Sequence, residues 1–310
     1  MPDTSSAPHQ LSTQELALPE VGDARRWVNR SDWFLIWLLR LCAGLAGVLT
    51  LLIFAYLCVQ SVPLLRKIGF IRLFTDQAWT PSSGQFNLAP MLVGTCYAAL
   101  GATSVATPLS IALAIFATFY APSSLAGIIR GILGLLASIP SVVYGLWGLV
   151  VLTPLLNRVH PPGLSLFLGI VILTIMILPT IALVAEAALR AVPQEYVLGG
   201  FALGCDRWRV VRRVVLPAAR SGLFTAVLLG TTRAIGETMA VVMVMGNTIQ
   251  IPQSVLAPAR TLTGHLALEM AYALGDHRAA LFSAGLLLLG IVTGLVLLTD
   301  RASRSQGYET

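Results

Sequence analysis

Charged residues are scarce in this chain of 310 residues. They make up 11% of it, whereas 56% is hydrophobic and the mean hydropathy is +0.81. Because a soluble domain carries about a quarter charged residues, this composition excludes a soluble globular protein and indicates an integral protein of the lipid bilayer. The net charge of +6 reflects basic residues beside membrane helices, and it does not indicate nucleic-acid binding.

Lysine is almost absent, since Lys67 is the single example. A P-loop needs the pattern G-x-x-x-x-G-K-[ST], so the chain has no nucleotide site of that kind. The sequence also lacks H-E-x-x-H, G-x-S-x-G and any intramembrane Ser–His or Asp–Asp pair. We therefore expect no catalytic residue and no cofactor, and ATP-driven work would belong to other subunits. A membrane enzyme remains a distant alternative.

Cysteine and histidine are few and dispersed. Their spacing matches neither a disulfide framework nor a metal site, so we expect neither of these. The eight residues are Cys42, Cys58, Cys96, Cys205, His9, His160, His265 and His277.

Long apolar runs dominate what is present. A helix that crosses a bilayer needs about 20 apolar residues, and six runs of that length predict an all-α integral membrane protein with six transmembrane helices. The runs cover about 33–59, 90–118, 128–156, 164–187, 221–245 and 279–299. Together they predict one membrane domain over residues 31–300. The polar residues 1–30 are expected to be a disordered tail rather than a cleaved signal peptide, and 301–310 a second tail.

Basic residues predict the orientation, because they collect beside the cytoplasmic ends of membrane helices. With the N-terminus inside, 13 arginines fall on the cytoplasmic side and 6 basic residues outside. Both termini are therefore expected in the cytoplasm. The largest cytoplasmic loop is then about 188–220, and the long external segments are about 60–89 and 246–278.

The first external segment is rich in aromatic residues. It could pack against a soluble partner or lie along the membrane surface, and a partly ordered loop is an equal alternative. The residues are Phe70, Phe74, Trp79 and Phe86. Three prolines inside spans, Pro108, Pro140 and Pro179, are compatible with helices bent around a polar passage or with simple packing kinks.

The stretch TTRAIGETMAVVMVMGN, residues 231–247, places Arg233 and Glu237 inside an apolar run. A helix that begins near Ser221 carries Arg233 roughly 18 Å into the membrane at about 1.5 Å per residue. One interpretation is an i, i+4 pair on one helix face that neutralises itself. In the other interpretation, Arg233 faces a pathway, and the N–H groups of its planar guanidinium donate to an oxyanion. Glu237 would then balance the charge of Arg233 when no anion is bound. Intramembrane ionisable residues are usually functional, which favours the second interpretation.

The cytoplasmic loop contains Gly204 and, thirteen residues later, Pro217, in GCDRWRVVRRVVLP. This spacing, with Leu216 before the proline, resembles the EAA loop of ABC importer permeases, although Leu198 stands where that family has glutamate. The resemblance implies that the loop forms a short helix that docks on an ATPase. Gly204, Trp208, Leu216 and Pro217 would carry the contact.

The stretch RAIGETMAVVMVMGN looks like the PstC family of permease subunits of phosphate ABC importers, and IPSVVYGLWGL and MILPTIA support this over about residues 33–298. The resemblance implies a type I importer permease in a bacterial inner membrane, with phosphate as substrate. Arg233 and Glu237 would be the anion contact, and Ser141, Tyr144 and Thr238 secondary candidates for the path.

The same resemblance implies partners. They are a PstA-like permease, two PstB-like ATP-binding subunits and a PstS-like extracytoplasmic phosphate-binding protein. The alternatives are a permease of the same fold for sulfate, molybdate or phosphonate, the PstA-like sister subunit itself, and a structural or sensory membrane protein. In the last case Arg233 would be dispensable.

Overall fold

The computed structural model describes residues 30–304, and within them the chain is helical with no extended sheet. The predicted tail 1–30 and the last residues of the tail 301–310 lie outside the described residues. The helices are α1 (Arg30–Ile68), α2 (Arg72–Thr75), α3 (Ala89–Ile115), α4 (Ser123–Ser138), α5 (Ser141–Trp147), α6 (Thr153–Asn157), α7 (Leu166–Arg190), α8 (Gln194–Ala202), α9 (Arg207–Val210), α10 (Leu216–Ala218), α11 (Arg220–Gly236), α12 (Met239–Val244), α13 (Leu262–Glu269) and α14 (Gly275–Arg304).

Four described helices are long and apolar enough to cross a membrane without a break, namely α1, α3, α7 and α14. Two further pairs of helices reach that length and apolarity only when taken together, and each pair is bent. The pair Ser123–Ser138 and Ser141–Asn157 meets at 89°, and the pair Arg207–Ala218 and Arg220–Gly236 meets at 72°. The first helix of the second pair, Arg207–Ala218, lies within the loop predicted over 188–220. Counting each bent pair once gives up to six spans, the number expected from the apolar runs.

Proline explains the sharper bend. Ile139 is extended (φ −63°, ψ 128°) and precedes Pro140, and a residue before proline is disfavoured in the helical region. Pro108 and Pro179, in contrast, lie inside the unbroken helices α3 and α7. Only one of the three intramembrane prolines therefore breaks a span.

The central core of residues 55–304 is the seam of α3, α7 and α11, which pack together through small residues. Gly101 of α3 faces Ile170 of α7, and Gly230 of α11 faces Ile181. A Cβ added at Gly230 would lie 2.4 Å from an Ile181 side-chain carbon, so glycine permits the close approach of these two helices. The seam positions the residues discussed next.

Residues 30–54 form a separate unit, the first part of α1. Every described side chain from Trp33 to Phe54 is exposed. The helix continues to Ile68, so the first external segment leaves the helix only at Gly69, later than the hydropathy pattern predicts. An apolar helix surface of this kind is suited to contact lipid or another membrane subunit.

Candidate functional site

The stretch around Glu237 is not one continuous helix. Helix α11 ends at Gly236, Glu237 is extended (φ −69°, ψ 133°), and α12 begins at Met239. The interpretation of Arg233 and Glu237 as an i, i+4 pair on a single helix face, which the sequence did not favour, is therefore wrong. The span predicted over 221–245 is divided by this break.

Hydrogen bonds explain why the helix stops there. The Glu237 carboxylate accepts from the backbone N–H of Ala240 at 3.1 Å, which satisfies an N–H at the start of α12. Its backbone carbonyl accepts from the hydroxyl of Thr263 at 2.7 Å. Both groups of Glu237 thus stabilise the non-helical conformation, and one of them depends on a residue 26 positions away.

Arg233 lies in the last turn of α11 and is half-buried. A cation is favoured at this end of a helix because the unpaired carbonyls carry partial negative charge. Its Nη1 donates to the Thr180 hydroxyl of α7 at 2.9 Å. No ion pair among residues 30–304 includes Arg233, so its charge is held by a neutral group rather than cancelled by a carboxylate.

The secondary path candidates have different surroundings. Tyr144 is buried, its hydroxyl donates to the Leu136 carbonyl at 2.7 Å, and it is near enough to Arg233 to interact with it electrostatically. Thr238 is half-buried within the break and donates to the Gly236 carbonyl at 3.3 Å. Ser141 is half-buried at the start of α5, and its contact with an anion stays a prediction.

A second polar cluster was not found from the sequence, and we call it the external network after the predicted external segment 246–278, which contributes most of its residues. Its centre is Glu269, which is 6% exposed. The carboxylate accepts from Arg260 Nη1 at 2.8 Å and from Trp79 Nε1 at 2.8 Å, and His277 Nε2 lies 2.9 Å away. His265 completes the cluster, with Nδ1 3.2 Å from Arg260 Nη1. In the sequence, the charged members of this network appear only as scattered residues of the predicted external segment 246–278.

The external network corrects the interpretation of the aromatic segment. Trp79 and Phe86 are 7% and 1% exposed, so they pack inside this chain instead of on a partner or the membrane surface. Phe70 remains exposed. Through Thr263, six residues before Glu269 on the same helix α13, this segment also contacts the helix break at Glu237.

Burial controls the protonation of the external network. It lowers the pKa of His265 to about 4, and the Arg260 charge adds to the effect while that of Glu269 opposes it. Burial by itself would raise the pKa of the Glu269 carboxyl, but the charges of His265 and Arg260 and the hydrogen bonds from Trp79 and His277 outweigh it. The pKa of Glu269 is therefore held below its usual value. At neutral pH Glu269 is therefore ionised and His265 is neutral.

The loop predicted to be cytoplasmic, about 188–220, folds as short helices around a glycine turn. Gly204 has φ +76°, and its N–H donates to the Phe201 carbonyl while Cys205 donates to Gly200. This left-handed turn after α8 favours glycine for its backbone conformation. A Cβ there would meet no described atom, so the turn itself is the constraint.

Apolar side chains of this loop are exposed. Leu203 is 85% exposed and Trp208 51% exposed, and Pro217 is also exposed while Leu216 is half-buried. Next to the loop, Glu186 at the end of α7 is buried between Arg130 and Arg190, each with a nitrogen 2.9 Å from its Oε1. The loop therefore starts from a helix end that is fixed to α4.

The sequence comparisons place the chain in a known family. Residues 106–305 match the family described as the binding-protein-dependent transport system inner membrane component. The chain belongs to this family. It is therefore a multi-pass inner-membrane permease, and it works in transport rather than catalysis.

Curated relatives of this permease cover most of its length. It is 34% identical to the phosphate transport system permease protein PstC of Haemophilus influenzae, over 87% of this chain and 92% of that one. It is 34% identical to PstC of Mesorhizobium japonicum, over 94% and 96%. It is 38% identical to the probable ABC transporter permease protein YqgH of Bacillus subtilis, over 73% and 75%.

Solved structures support the fold of the permease. A bacterial ABC transporter that imports alginate matches with a TM-score of 0.61 at 15% identity, over 89% of this chain and 97% of that one. The inward-facing MetNI methionine ABC transporter matches with a TM-score of 0.54 at 22% identity, over 69% and 95%. The architecture is that of type I ABC importer permeases.

Proposed function

We propose that this chain is the permease subunit of an ATP-driven importer of inorganic phosphate and that Arg233 is its anion contact. The phosphate permeases among its relatives support the substrate. The observation that carries the proposal is the bonding of Arg233: it lies near the end of a membrane helix, donates to a neutral hydroxyl and has no carboxylate partner among the described residues.

An arginine kept for packing would be expected to have a counter-charge. A charge near the middle of a membrane costs on the order of 3 kcal/mol even on the most lenient scale, and an ion pair reduces that cost. Arg233 lacks the ion pair and keeps a fork of N–H donors that matches the oxygens of phosphate. We infer that the anion itself supplies the missing charge during transport.

In this proposal, Glu237 does more than balance the charge of Arg233. One carboxylate oxygen holds the start of α12, so the residue fixes the break that follows Arg233. The carboxylate also offers an acceptor for the proton of a monohydrogen or dihydrogen phosphate. An anion without a proton would not gain this hydrogen bond, which favours phosphate over sulfate or molybdate.

Transport follows an alternating-access scheme in which this chain makes no covalent bond with its substrate. A phosphate-binding protein of the PstS type delivers the anion to a pair formed by this permease and a PstA-like subunit. Two PstB-like ATPases contact the exposed loop at Gly204 and Trp208, next to Leu216 and Pro217. Co-purification tests this assembly, and isolation of the permease without any ATPase would contradict it.

The orientation belongs to the same proposal. The basic residues favour cytoplasmic termini, which places the external network outside and the Gly204 loop inside. A cysteine at exposed Ser83 should react with an impermeant thiol reagent added outside intact cells, and one at Arg209 should not. Reversed labelling would overturn this orientation.

The decisive experiment separates an anion site from a packing pair. Arg233→Gln should leave the complex assembled and abolish uptake of radiolabelled phosphate, and Arg233→Lys should restore only part of it because lysine lacks the planar fork. Glu237→Gln should reduce uptake less. Uptake is normalised to inserted complex. Full uptake by the double variant Arg233→Leu, Glu237→Leu would end the proposal.

A further inference from the structure

We propose that Thr180 is a positioning residue for the anion: its hydroxyl holds the Arg233 fork and keeps its own proton for the same oxyanion. The inference rests on the proposed function of Arg233. Thr180 lies on α7, directly after Pro179, and reaches across the seam between α7 and α11.

The first step is the direction of the hydrogen bond. A guanidinium can only donate, so the Thr180 oxygen accepts from Arg233 Nη1 at 2.9 Å. A hydroxyl has two lone pairs and one proton, and this contact uses only a lone pair. Thr180 therefore still has a donor to offer.

The second step is a comparison with the other helical threonines. Seven of them donate the hydroxyl proton to the carbonyl four residues earlier, the usual local arrangement. These are Thr50, Thr75, Thr95, Thr118, Thr174, Thr231 and Thr232. Thr180 differs from all seven, because among the described residues its hydroxyl accepts a hydrogen bond from Arg233 instead of donating one to its own helix.

The third step concerns charge. An aspartate or glutamate at this position would hold the fork as firmly, but it would also cancel the positive charge that an anion needs. A neutral hydroxyl fixes the guanidinium and leaves the charge in place. The remaining N–H groups of Arg233 and the O–H group of Thr180 then form one set of donors, contributed by two helices.

The setting of Thr180 suits this role. Thr180 is half-buried, whereas its neighbours Pro179 and Ile181 are buried in the central core. Ile181 packs against Gly230 of α11, one turn before Arg233, so the spacing of the two helices is fixed at this level. A change in the distance between α7 and α11 during transport would alter the Thr180–Arg233 contact directly.

The test uses the complete complex in proteoliposomes with saturating phosphate-binding protein. Thr180→Val removes the hydroxyl and keeps the shape, and it should lower the initial rate of phosphate uptake about tenfold, the effect of losing a hydrogen bond to a charged group. Thr180→Ser restores a hydroxyl and should return the rate to within about twofold of the original. Thr174→Val is the matched control, because the Thr174 hydroxyl donates to the Ile170 carbonyl of its own helix at 2.7 Å, with the Ala102 carbonyl of α3 3.5 Å away, and has no hydrogen bond to Arg233.

The outcomes are distinct. Loss of uptake in Thr180→Val with rescue by Thr180→Ser supports the proposal, and Thr180→Ala serves as the second hydroxyl-free variant if valine prevents assembly. Normal uptake by the valine or alanine variant, with Arg233→Gln still silent, overturns the role of Thr180 alone. Normal uptake by Arg233→Gln overturns the anion site as well. Equal losses in Thr180→Val and Thr174→Val would show only a packing effect and would also overturn the proposal.

Discussion

Arg233 and Arg260 are both half-buried, but the structure satisfies their charges in opposite ways. Arg260 donates to the Glu269 carboxylate at 2.8 Å and to the Asn247 carbonyl at 2.8 Å. Arg233 donates to a neutral hydroxyl. A paired charge stabilises the fold, whereas a charge without a carboxylate partner can still bind an anion. Since both arginines are half-buried, burial does not distinguish their functions. The group that accepts the hydrogen bonds of each arginine does.

A third cluster, at the end of α7, supports this distinction. Arg130 and Arg190 share the buried carboxylate of Glu186, as Arg260 shares Glu269 with Trp79 and His277. Among the described residues, the buried carboxylates are Glu186 and Glu269, and each belongs to a network that fixes helices to each other. Arg233 lies at the seam of α7 and α11 and donates to the hydroxyl of Thr180 instead of a carboxylate.

The largest predicted effect is a loss of stability on substitution of Glu269, and it tests the contrast between Arg260 and Arg233. Glu269→Gln leaves the half-buried Arg260 without its counter-charge and should lower the free energy of unfolding by about 3 kcal/mol, the lower end of the cost of breaking a buried pair. Arg233→Gln should change it by less than about 1 kcal/mol, because no ion pair is broken. Thermal unfolding of the detergent-solubilised protein measures both.

The control for this prediction is the exposed ion pair of Lys67 and Asp276, whose side chains are 65% and 48% exposed. Asp276→Asn should cost less than about 1 kcal/mol, since exposed pairs contribute little. Equal destabilisation by Glu269→Gln and Arg233→Gln would show that the two arginines do not differ in the way described.

A pH dependence is expected at His265, whose pKa falls from 6.5 to about 4 on folding. Between these values the unfolded chain takes up a proton that the folded chain does not, so stability should fall as the pH is lowered from 6.5 to 4. The loss amounts to about 3 kcal/mol at most. Glu269, whose pKa is also lowered, adds to the loss at the acidic end.

Thermal unfolding measured across this pH range checks the prediction. His265→Gln should flatten the dependence between pH 6.5 and 4, whatever its effect at neutral pH. An unchanged slope in that variant would assign the acid sensitivity to another group. Arg233→Gln should leave the slope as it is, since Arg233 takes no part in the external network.

A smaller effect is expected at Gly94 of α3, which tests how the external network is held in place. A Cβ at this position would lie 2.5 Å from the Arg260 carbonyl oxygen, so the backbone of the external segment would have to move. Gly94→Ala should cost about 1–3 kcal/mol. Gly134→Ala in α4, where a Cβ meets no described atom, is the control and should be neutral or slightly stabilising. A neutral Gly94→Ala would contradict the close approach.

The expectations from sequence succeeded where a single segment decides the result. Apolar runs of sufficient length predicted the spans, and a cation and a carboxylate in an apolar stretch identified Arg233 and Glu237 as unusual. Each of these features depends on local composition, which a linear reading contains.

The expectations failed where distant segments meet. The continuous helix through Glu237 was wrong, because the Thr263 hydroxyl and the Ala240 N–H compensate the interrupted helical hydrogen bonds. Trp79 was placed at a surface, although Glu269, 190 residues away, receives its N–H. Thr180 was not singled out, since nothing around it in MILPTIA indicates that Arg233 lies across the seam.

The sequence by itself determined that this chain crosses a membrane, that its charges are few, and that an arginine is placed among apolar residues. Hydrophobic burial depends on composition and length, so these properties follow from the order of residues alone. Only the tertiary structure decided which arginine has a carboxylate partner and which has a hydroxyl. Hydrogen bonds are short and directional, and their partners become neighbours only when the helices have packed.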